Sequence, residues 1–153
     1  MQYYLSLGAN LGNREQTINQ AIEAIEQQIG HVDRCSSFYY SEPWGFESTH
    51  GFCNVCCLVE TEKAPLEVLA LTQEIEKSLG RTKKTAISLQ PSEVSLQKKA
   101  IYSDRTIDID LIRVFENDGT EIKMSSGSLL ILPHPLWKKR DFVKIPLKEI
   151  LDN

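Results

Sequence analysis

Apolar residues recur along this chain with two periods, one of two residues and one of three to four. Tyr3, Leu5 and Leu7 share one face of a strand over residues 3–7, and Gly8-Ala9-Asn10-Leu11-Gly12-Asn13 follows with turn chemistry. Over residues 14–29, Ile18, Ala21, Ile22, Ile25 and Ile29 fall on one narrow stripe at helical spacing, and Gly30 stands where a helix stops. Residues 31–40, ending in Ser36-Ser37-Phe38-Tyr39-Tyr40, read as one strand, and Ser41-Glu42-Pro43-Trp44-Gly45-Phe46 with Ser48 and Gly51 reads as a long loop. A strand over 52–61 then sets Cys53, Val55, Cys57 and Val59 inward, with Phe52, Asn54 and Cys56 on the opposite face.

Pro65 suits a first helical position, and Val68, Leu71, Ile75 and Leu79 make the stripe of a second helix over 65–79 that stops at Gly80, with Gln73 and Glu76 flanking it. Residues 82–104 lack a period and are rich in Ser, Thr, Lys and Gln, which predicts a long mobile loop with at most a short element around 94–96. Ile107, Ile109 and Leu111 alternate with Asp108, Asp110 and Ile112, giving a further strand before the Glu116-Asn117-Asp118-Gly119 turn. A C-terminal tail carries Pro133-His134-Pro135 and the basic, aromatic stretch from Trp137 through Lys138, Lys139, Arg140 and Asp141 to Phe142. The order strand, helix, strand, strand, helix, strand predicts an α+β fold, a ferredoxin-like βαββαβ sandwich with two helices on one face of an antiparallel sheet, plus a C-terminal extension. The other face would be free for a site.

The length of 153 residues fits one domain, residues 1–153, with the 82–104 loop inside it. Seventeen Lys and Arg against 21 Asp and Glu give a net charge of −4, which removes the general attraction to nucleic acid or to an anionic membrane. No aliphatic run exceeds that of residues 129–132, too short to span a bilayer, and Met1-Gln2-Tyr3-Tyr4-Leu5 offers no positive start to an export signal. A cytoplasmic protein is the expectation. Cys35, Cys53, Cys56 and Cys57 are too few for a disulfide scaffold and read as free, buried thiols. Cys53 and Cys56 form a C-x-x-C, but in a strand they point to opposite faces, which argues against zinc.

The sharpest chemical signal is Asp104-Arg105-Thr106-Ile107-Asp108-Ile109-Asp110-Leu111. Asp108 and Asp110 project from one strand face about 6.6 Å apart at the backbone, close enough for both carboxylates to converge on hard cations. Either a magnesium site or a solvated strand face satisfies that pattern. Arg81, Lys83, Lys84, Lys98, Lys99 and Arg105 bracket or occupy the long loop, and Lys138, Lys139 and Arg140 follow His134. Carboxylates for a metal and cations for the remaining oxygens are the mixture that a polyphosphate needs. No G-x-x-x-x-G-K-[ST] loop occurs, and no G-x-S-x-G elbow accompanies the three separated histidines, His31, His50 and His134. His31 and His50 read as surface residues, whereas His134 is fixed between two prolines.

The spaced segments Leu7-Gly8-Ala9-Asn10-Leu11-Gly12, Ser37-Phe38-Tyr39 with Pro43 and Gly45, Phe52-Cys53-Asn54, Glu76 with Gly80-Arg81, Arg105-Thr106-Ile107-Asp108-Ile109-Asp110 and Pro133-His134 together resemble 6-hydroxymethyl-7,8-dihydropterin pyrophosphokinase, a folate-pathway enzyme family. The resemblance covers nearly the whole chain, and its R-T-x-D-x-D segment is the specific part. It implies transfer of pyrophosphate from ATP to the pterin hydroxymethyl, giving AMP and the pterin diphosphate. By that resemblance Asp108 and Asp110 would hold two magnesium ions, and Arg81, Lys84 and Arg105 would join them as the catalytic set. Gln73, Glu76, Arg81, Lys84, Arg105, Ile109, His134 and Arg140 would serve ATP. Phe52 and Phe142 would sandwich the pterin, Asn54 would bond its amide edge, and Ser41, Pro43, Trp44 and Tyr102 would line the pocket. A flat ring with a donor-acceptor edge calls for aromatic faces and an amide, which Phe52 and Asn54 supply from one strand face.

The chain departs from the family pattern just before Arg105, where Tyr102-Ser103-Asp104 replaces the usual Gly and Pro. A catalytically silent homologue that binds pterin or ATP stays open on that ground, and a ferredoxin-like binding module with aromatics on its open sheet face is a second alternative. The expected partners are the two small substrates, with no nucleic acid and no membrane, acting on a monomer unless an oligomer forms.

Overall fold

The first strand, β1 (Gln2–Ala9), is buried on both sides and carries the sheet. The computed structural model describes residues 1–10, 12–41, 51–84, 107–127 and 129–151, with 81–84 described by backbone alone. β1 pairs antiparallel with β4 (Phe52–Glu60) on one side and with β5 (Asp108–Phe115) on the other. β2 (His31–Cys35) pairs outside β4, giving the order β2-β4-β1-β5, and β3 (Tyr39–Ser41) adds to β4 beyond β2.

The expected single strand over 31–40 is thus two. Ser36 lies at the break, where its N–H donates to the Cys56 carbonyl (2.8 Å) while its Oγ accepts from the Cys56 N–H (3.0 Å). A side-chain oxygen has taken the place of a backbone carbonyl, the competition that makes Ser a strand breaker.

α1 (Arg14–Gln28) starts at Asn13, whose Oδ1 accepts from the Gln16 N–H at 3.1 Å, an N-cap of the usual kind. Its buried stripe of Ile18, Ala21 and Ile25 meets Val68 and Ile75 of α2 (Pro65–Lys84) over Tyr3, Leu5 and Leu7 of β1 and Cys53, Val55, Cys57 and Val59 of β4. These are the inward faces that the period-2 pattern predicts. Gly30 does follow the helix, for a different reason than conformational freedom: a Cβ there would run into the Glu60 carbonyl oxygen and lie 2.7 Å from Thr61 Cβ. α2 begins at Pro65 as expected but runs through Gly80 to Lys84, so positions 82–84 of the expected loop are helical, while its remainder up to residue 104 lies outside the described residues.

The second face of the sheet is not free. α3 (Asp141–Leu151) closes half of it, burying Val143, Leu147 and Ile150 against Tyr4, Cys56, Leu58 and Ile112. Among the described residues the fold is therefore a mixed α/β arrangement with three helices and an antiparallel sheet, and α3 is a helix that the sequence pattern does not predict. Between β5 and α3 a small hairpin of β6 (Met124–Ser126) and β7 (Leu130–Leu132) and a 3-10 turn (Trp137–Lys139) bring the chain back across β5.

β5 contains an irregularity opposite β1. Tyr4 pairs with Arg113 but Leu5 with Leu111, so Ile112 is an inserted residue, a β-bulge. Among the described residues no helix is long and apolar enough to cross a membrane.

Leu147 is fully buried beneath α3. Leu147→Ala is expected to lower stability by about 2–4 kcal/mol, read as a lower urea midpoint with unchanged slope. A loss under roughly 0.5 kcal/mol would mean that α3 is not packed on the sheet as described.

Candidate active site

Directly opposed residues in an antiparallel sheet present their side chains to the same side. Gly8 of β1 opposes both Asn54 on β4 and Asp108 on β5, and Ser6 opposes both Cys56 and Asp110. Tyr39 opposes Asn54, and Ser41 opposes Phe52. Asp108, Asp110, Asn54, Phe52 and Ser41 therefore share the face away from α1 and α2, in the half that α3 leaves uncovered.

Asn54 is 2% exposed, and its Nδ2 donates to the Tyr39 carbonyl (3.3 Å) and to Ser41 Oγ (3.0 Å). Those bonds fix the amide plane with Oδ1 over Gly8, where a Cβ would stand 2.8 Å from that oxygen and 3.9 Å from the Phe52 ring. The glycine keeps the middle of the row low and open. The ends of the 42–50 segment are anchored as well: Ser41 by Asn54, and Gly51 by Arg14, whose Nη1 donates to the Gly51 carbonyl at 2.9 Å.

On the other side of the row, β5 is the edge of the sheet among the described residues, so alternate backbone N–H groups face away from β1. Glu76 of α2 fills one of them, its Oε2 accepting from the Ile109 N–H at 2.7 Å. The bond fixes the residue between the two aspartates, and the side chain of Ile109 sits in the core. Burial pushes the Glu76 carboxyl up to about 7; the Ile109 N–H opposes this, and the negative charges of Asp108 and Asp110 reinforce it.

His134 approaches from the C-terminal segment. Its N–H donates to the Ile112 carbonyl (2.8 Å), and its Nδ1 accepts from the Leu136 N–H (3.1 Å), which assigns the proton of the neutral ring to Nε2. Burial lowers its pKa, Arg140 lowers it further and Asp108 pulls it back, so these groups share one electrostatic neighbourhood. The Arg140 guanidinium stands 5.8 Å from the centre of the half-buried Phe142 ring, at the start of α3. Gln73 is exposed one helical turn before Glu76.

Arg81 and Lys84 fall on the final turns of α2 by backbone, while Pro43, Trp44, Tyr102 and Arg105 lie outside the described residues. Among the described residues no three His, Cys, Asp or Glu side chains cluster closely enough to enclose a metal ion. Of the cysteines read as buried, Cys53, Cys56 and Cys57 are, but Cys35 is exposed because it lies on the outer strand β2. His31 is exposed as expected, and His50 lies outside the described residues. Sequence reasoning missed the Glu76 bond to Ile109, the Arg14 anchor and Asn10, fully buried just after β1. A lone glutamate on a helix flank carries no sign of which distant N–H it meets.

A row of amide, glycine and carboxylates across three strands, with an aromatic beside it, is a candidate small-ligand site on an α/β scaffold. The family model described as 7,8-dihydro-6-hydroxymethylpterin-pyrophosphokinase (HPPK) matches residues 4–152, and the chain belongs to that family. It is 39% identical over 147 residues to the 2-amino-4-hydroxy-6-hydroxymethyldihydropteridine pyrophosphokinase of Porphyromonas gingivalis, covering 96% of this chain and 88% of that protein. It is 34% identical over 148 residues to the enzyme of the same name from Bacillus subtilis, covering 96% and 76% respectively. A solved HPPK-DHPS in complex with substrates superposes with a TM-score of 0.59 at 14% identity, over 98% of this chain and 40% of that one, a likeness of fold.

Because the folded chain holds a proton on Glu76 that the unfolded chain releases, this group's contribution to stability is full below about 4.5 and is lost as pH rises toward about 7. In ligand-free, metal-free protein, the Tm advantage of the parent over Glu76→Gln is expected to shrink between pH about 5 and about 8. A Tm difference that stays flat across that range would remove Glu76 from the buried position described.

Proposed function

We propose that the polar half of the second sheet face is where this chain binds its two substrates, with the pterin on the Phe52 and Asn54 side and the ATP phosphates on the Asp108 and Asp110 side. The reaction is the one for which the family is named: a pyrophosphoryl group passes from ATP to the hydroxymethyl of 6-hydroxymethyl-7,8-dihydropterin in folate biosynthesis. One observation carries the reading, that Asn54, Gly8 and Asp108 stand in register on adjacent strands. Two strand spacings separate Asn54 from Asp108, about 10 Å, enough for a flat bicyclic ring to lie over Gly8 with its substituent directed at the carboxylates.

The donor set of this half-face suits magnesium. Asp108 and Asp110 offer hard oxygens from one side only, which leaves coordination positions for phosphate oxygens and water, the way that magnesium is ordinarily held. Two such ions, when bound with ATP, would neutralise the phosphates and acidify the attacking hydroxyl. The protein's own work is positional. Asn54 offers its Oδ1 to a donor on the pterin edge, its Nδ2 hydrogens being taken by Tyr39 and Ser41 of β3, and Phe52 and Phe142 offer ring faces. Glu76 keeps β5 in register so that both carboxylates stay on one side, and it leaves the Ile109 carbonyl as the group available to the nucleotide.

His134 and Arg140 meet phosphate oxygens, neutral His134 donating from Nε2, and the electrostatic neighbourhood that they share with Asp108 supports this role. Arg81, Lys84 and Arg105 complete the phosphate set, Gln73 lies toward the nucleotide, and Ser41, Pro43, Trp44 and Tyr102 border the pterin. Phosphoryl-type transfer needs little beyond such positioning and charge stabilisation. The strand order, with α1 and α2 on one face, supports the ferredoxin-like reading of the sandwich, and a cytoplasmic location fits the reaction.

AMP release from ATP by the purified chain tests the site. It is expected to require both pterin and magnesium, to stop with chelator, and to fall at least roughly 100-fold in Asp110→Ala with thermal stability retained. AMP production independent of either aspartate would overturn the metal assignment. Gly8→Ala, whose methyl must displace the Asn54 carbonyl oxygen, is expected to raise the KM for pterin by roughly tenfold or more while leaving ATP affinity unchanged. An unchanged pterin KM would place the ring elsewhere.

A further inference from the structure

Outside the substrate face, the outer strand pairs two thiols. Cys35 on β2 and Cys57 on β4 are directly opposed in the register, and their Sγ atoms stand 2.8 Å apart. Which kind of antiparallel pair they form follows from their neighbours. Ser36 and Cys56 exchange hydrogen bonds, so Cys35 and Cys57 occupy the adjacent non-hydrogen-bonded position. Cα atoms at such a position are about 4.5 Å apart, inside the roughly 4.4–6.8 Å that a disulfide spans. The strands already hold the two sulfurs where a bond can form.

Access divides the roles. Cys35 is exposed, whereas Cys57 is fully buried in the core under the helices. We propose that Cys35 and Cys57 are a thiol-oxidation site for hydrogen peroxide, with Cys35 the sulfur that meets the oxidant and Cys57 the sulfur that resolves it into a cross-strand disulfide.

Cys35, as thiolate, attacks one peroxide oxygen; the O–O bond breaks, a sulfenic acid forms, and the departing hydroxide takes up a proton as water. Cys57 sulfur then attacks the Cys35 sulfur, the S–O bond breaks, and hydroxide leaves with the Cys57 proton as a second water. Two thiols are oxidised to one disulfide, and one peroxide is reduced to two waters. The hydrogen bond between the sulfurs divides the proton in the sense this order requires: it lowers the pKa of Cys35 and, with burial, raises that of Cys57.

The closed loop spans 22 positions in sequence and contains Ser41, Phe52 and Asn54, yet the opposed register requires no strand to move. The oxidised chain should therefore be more stable and equally able to turn over. The bond also spares Cys35 from irreversible oxidation, since the sulfenic acid is consumed as it forms.

The test treats the reduced full chain with equimolar hydrogen peroxide and reads intact mass, peptide map and Tm. Expected are a loss of about 2 Da, a single cross-link joining the peptides of Cys35 and Cys57, and a Tm raised by roughly 5–10 °C, all reversed by dithiothreitol. Cys35→Ser, a change at an exposed position, should abolish the cross-link and the Tm gain. Cys57→Ala should leave Cys35 as a dimedone-trapped sulfenic acid. Oxidation of Cys35 that stops at the sulfinic acid in the parent chain, a cross-link through Cys53 or Cys56, or no mass change would each overturn the proposal. A loss of turnover that accompanies the disulfide would overturn the claim that the strands stay in place.

Discussion

β1 hydrogen-bonds to β4 along one edge and to β5 along the other, and both registers are antiparallel. That double pairing sets the site, because the residues of β4 and β5 that share a row are chosen by which residue of β1 lies between them. Asn54 faces Asp108 across Gly8, and Cys56 faces Asp110 across Ser6. A one-residue slip of either neighbour would turn its site residues into the helix-covered core and its core residues outward. The apolar face of Tyr3, Leu5, Leu7, Val55, Val59 and Ile109 opposes that slip, so the hydrophobic core also serves as the alignment device for the polar face.

The two faces are closed to different degrees. α1 and α2 bury one over β1, β4 and β5, leaving Cys35 of the outer strand exposed, whereas α3 buries only the half of the other that carries Tyr4, Leu58 and Ile112. The remaining half is polar because it has to stay wet or hold a ligand. Backbone groups at its margins are held from outside the five-stranded sheet: the Ile109 N–H by Glu76 of α2, the Gly51 carbonyl by Arg14 of α1, and the Ile112 carbonyl by the His134 N–H of the returning C-terminal segment.

The period-2 patterns of β1, β4 and β5 showed directly in the sequence, and with them the facing of Phe52, Asn54, Asp108 and Asp110, because strand alternation is local and tertiary packing followed it. α1 and the start of α2 were equally plain from their stripes and from Pro65. α3 was not, since Pro146 inside it hides a helix whose apolar residues Val143, Leu147 and Ile150 keep helical spacing. The break between β2 and β3 depends on where the Ser36 hydroxyl finds a distant N–H, and the bond from Glu76 to Ile109 crosses 33 positions. Neither leaves a local trace. Gly30 was placed correctly at a helix end, but the cause is the close passage of Glu60 and Thr61, which only the folded chain brings there.

The bulge at Ile112 gives β5 two phases. Up to Leu111 the odd positions face the core, so Asp108 and Asp110 fall on the open side; beyond the extra residue Val114 faces the core instead. Arg113 is thereby moved to the side of Phe115 and Trp137, where its guanidinium lies 4.9 Å and 5.4 Å from their ring centres and pairs with Glu121 at 2.9 Å. An unbroken alternation would have driven that charge beneath the helices. The inserted residue thus lets one strand serve two separate requirements in sequence, an acidic edge at one end and an arginine-aromatic stack at the other.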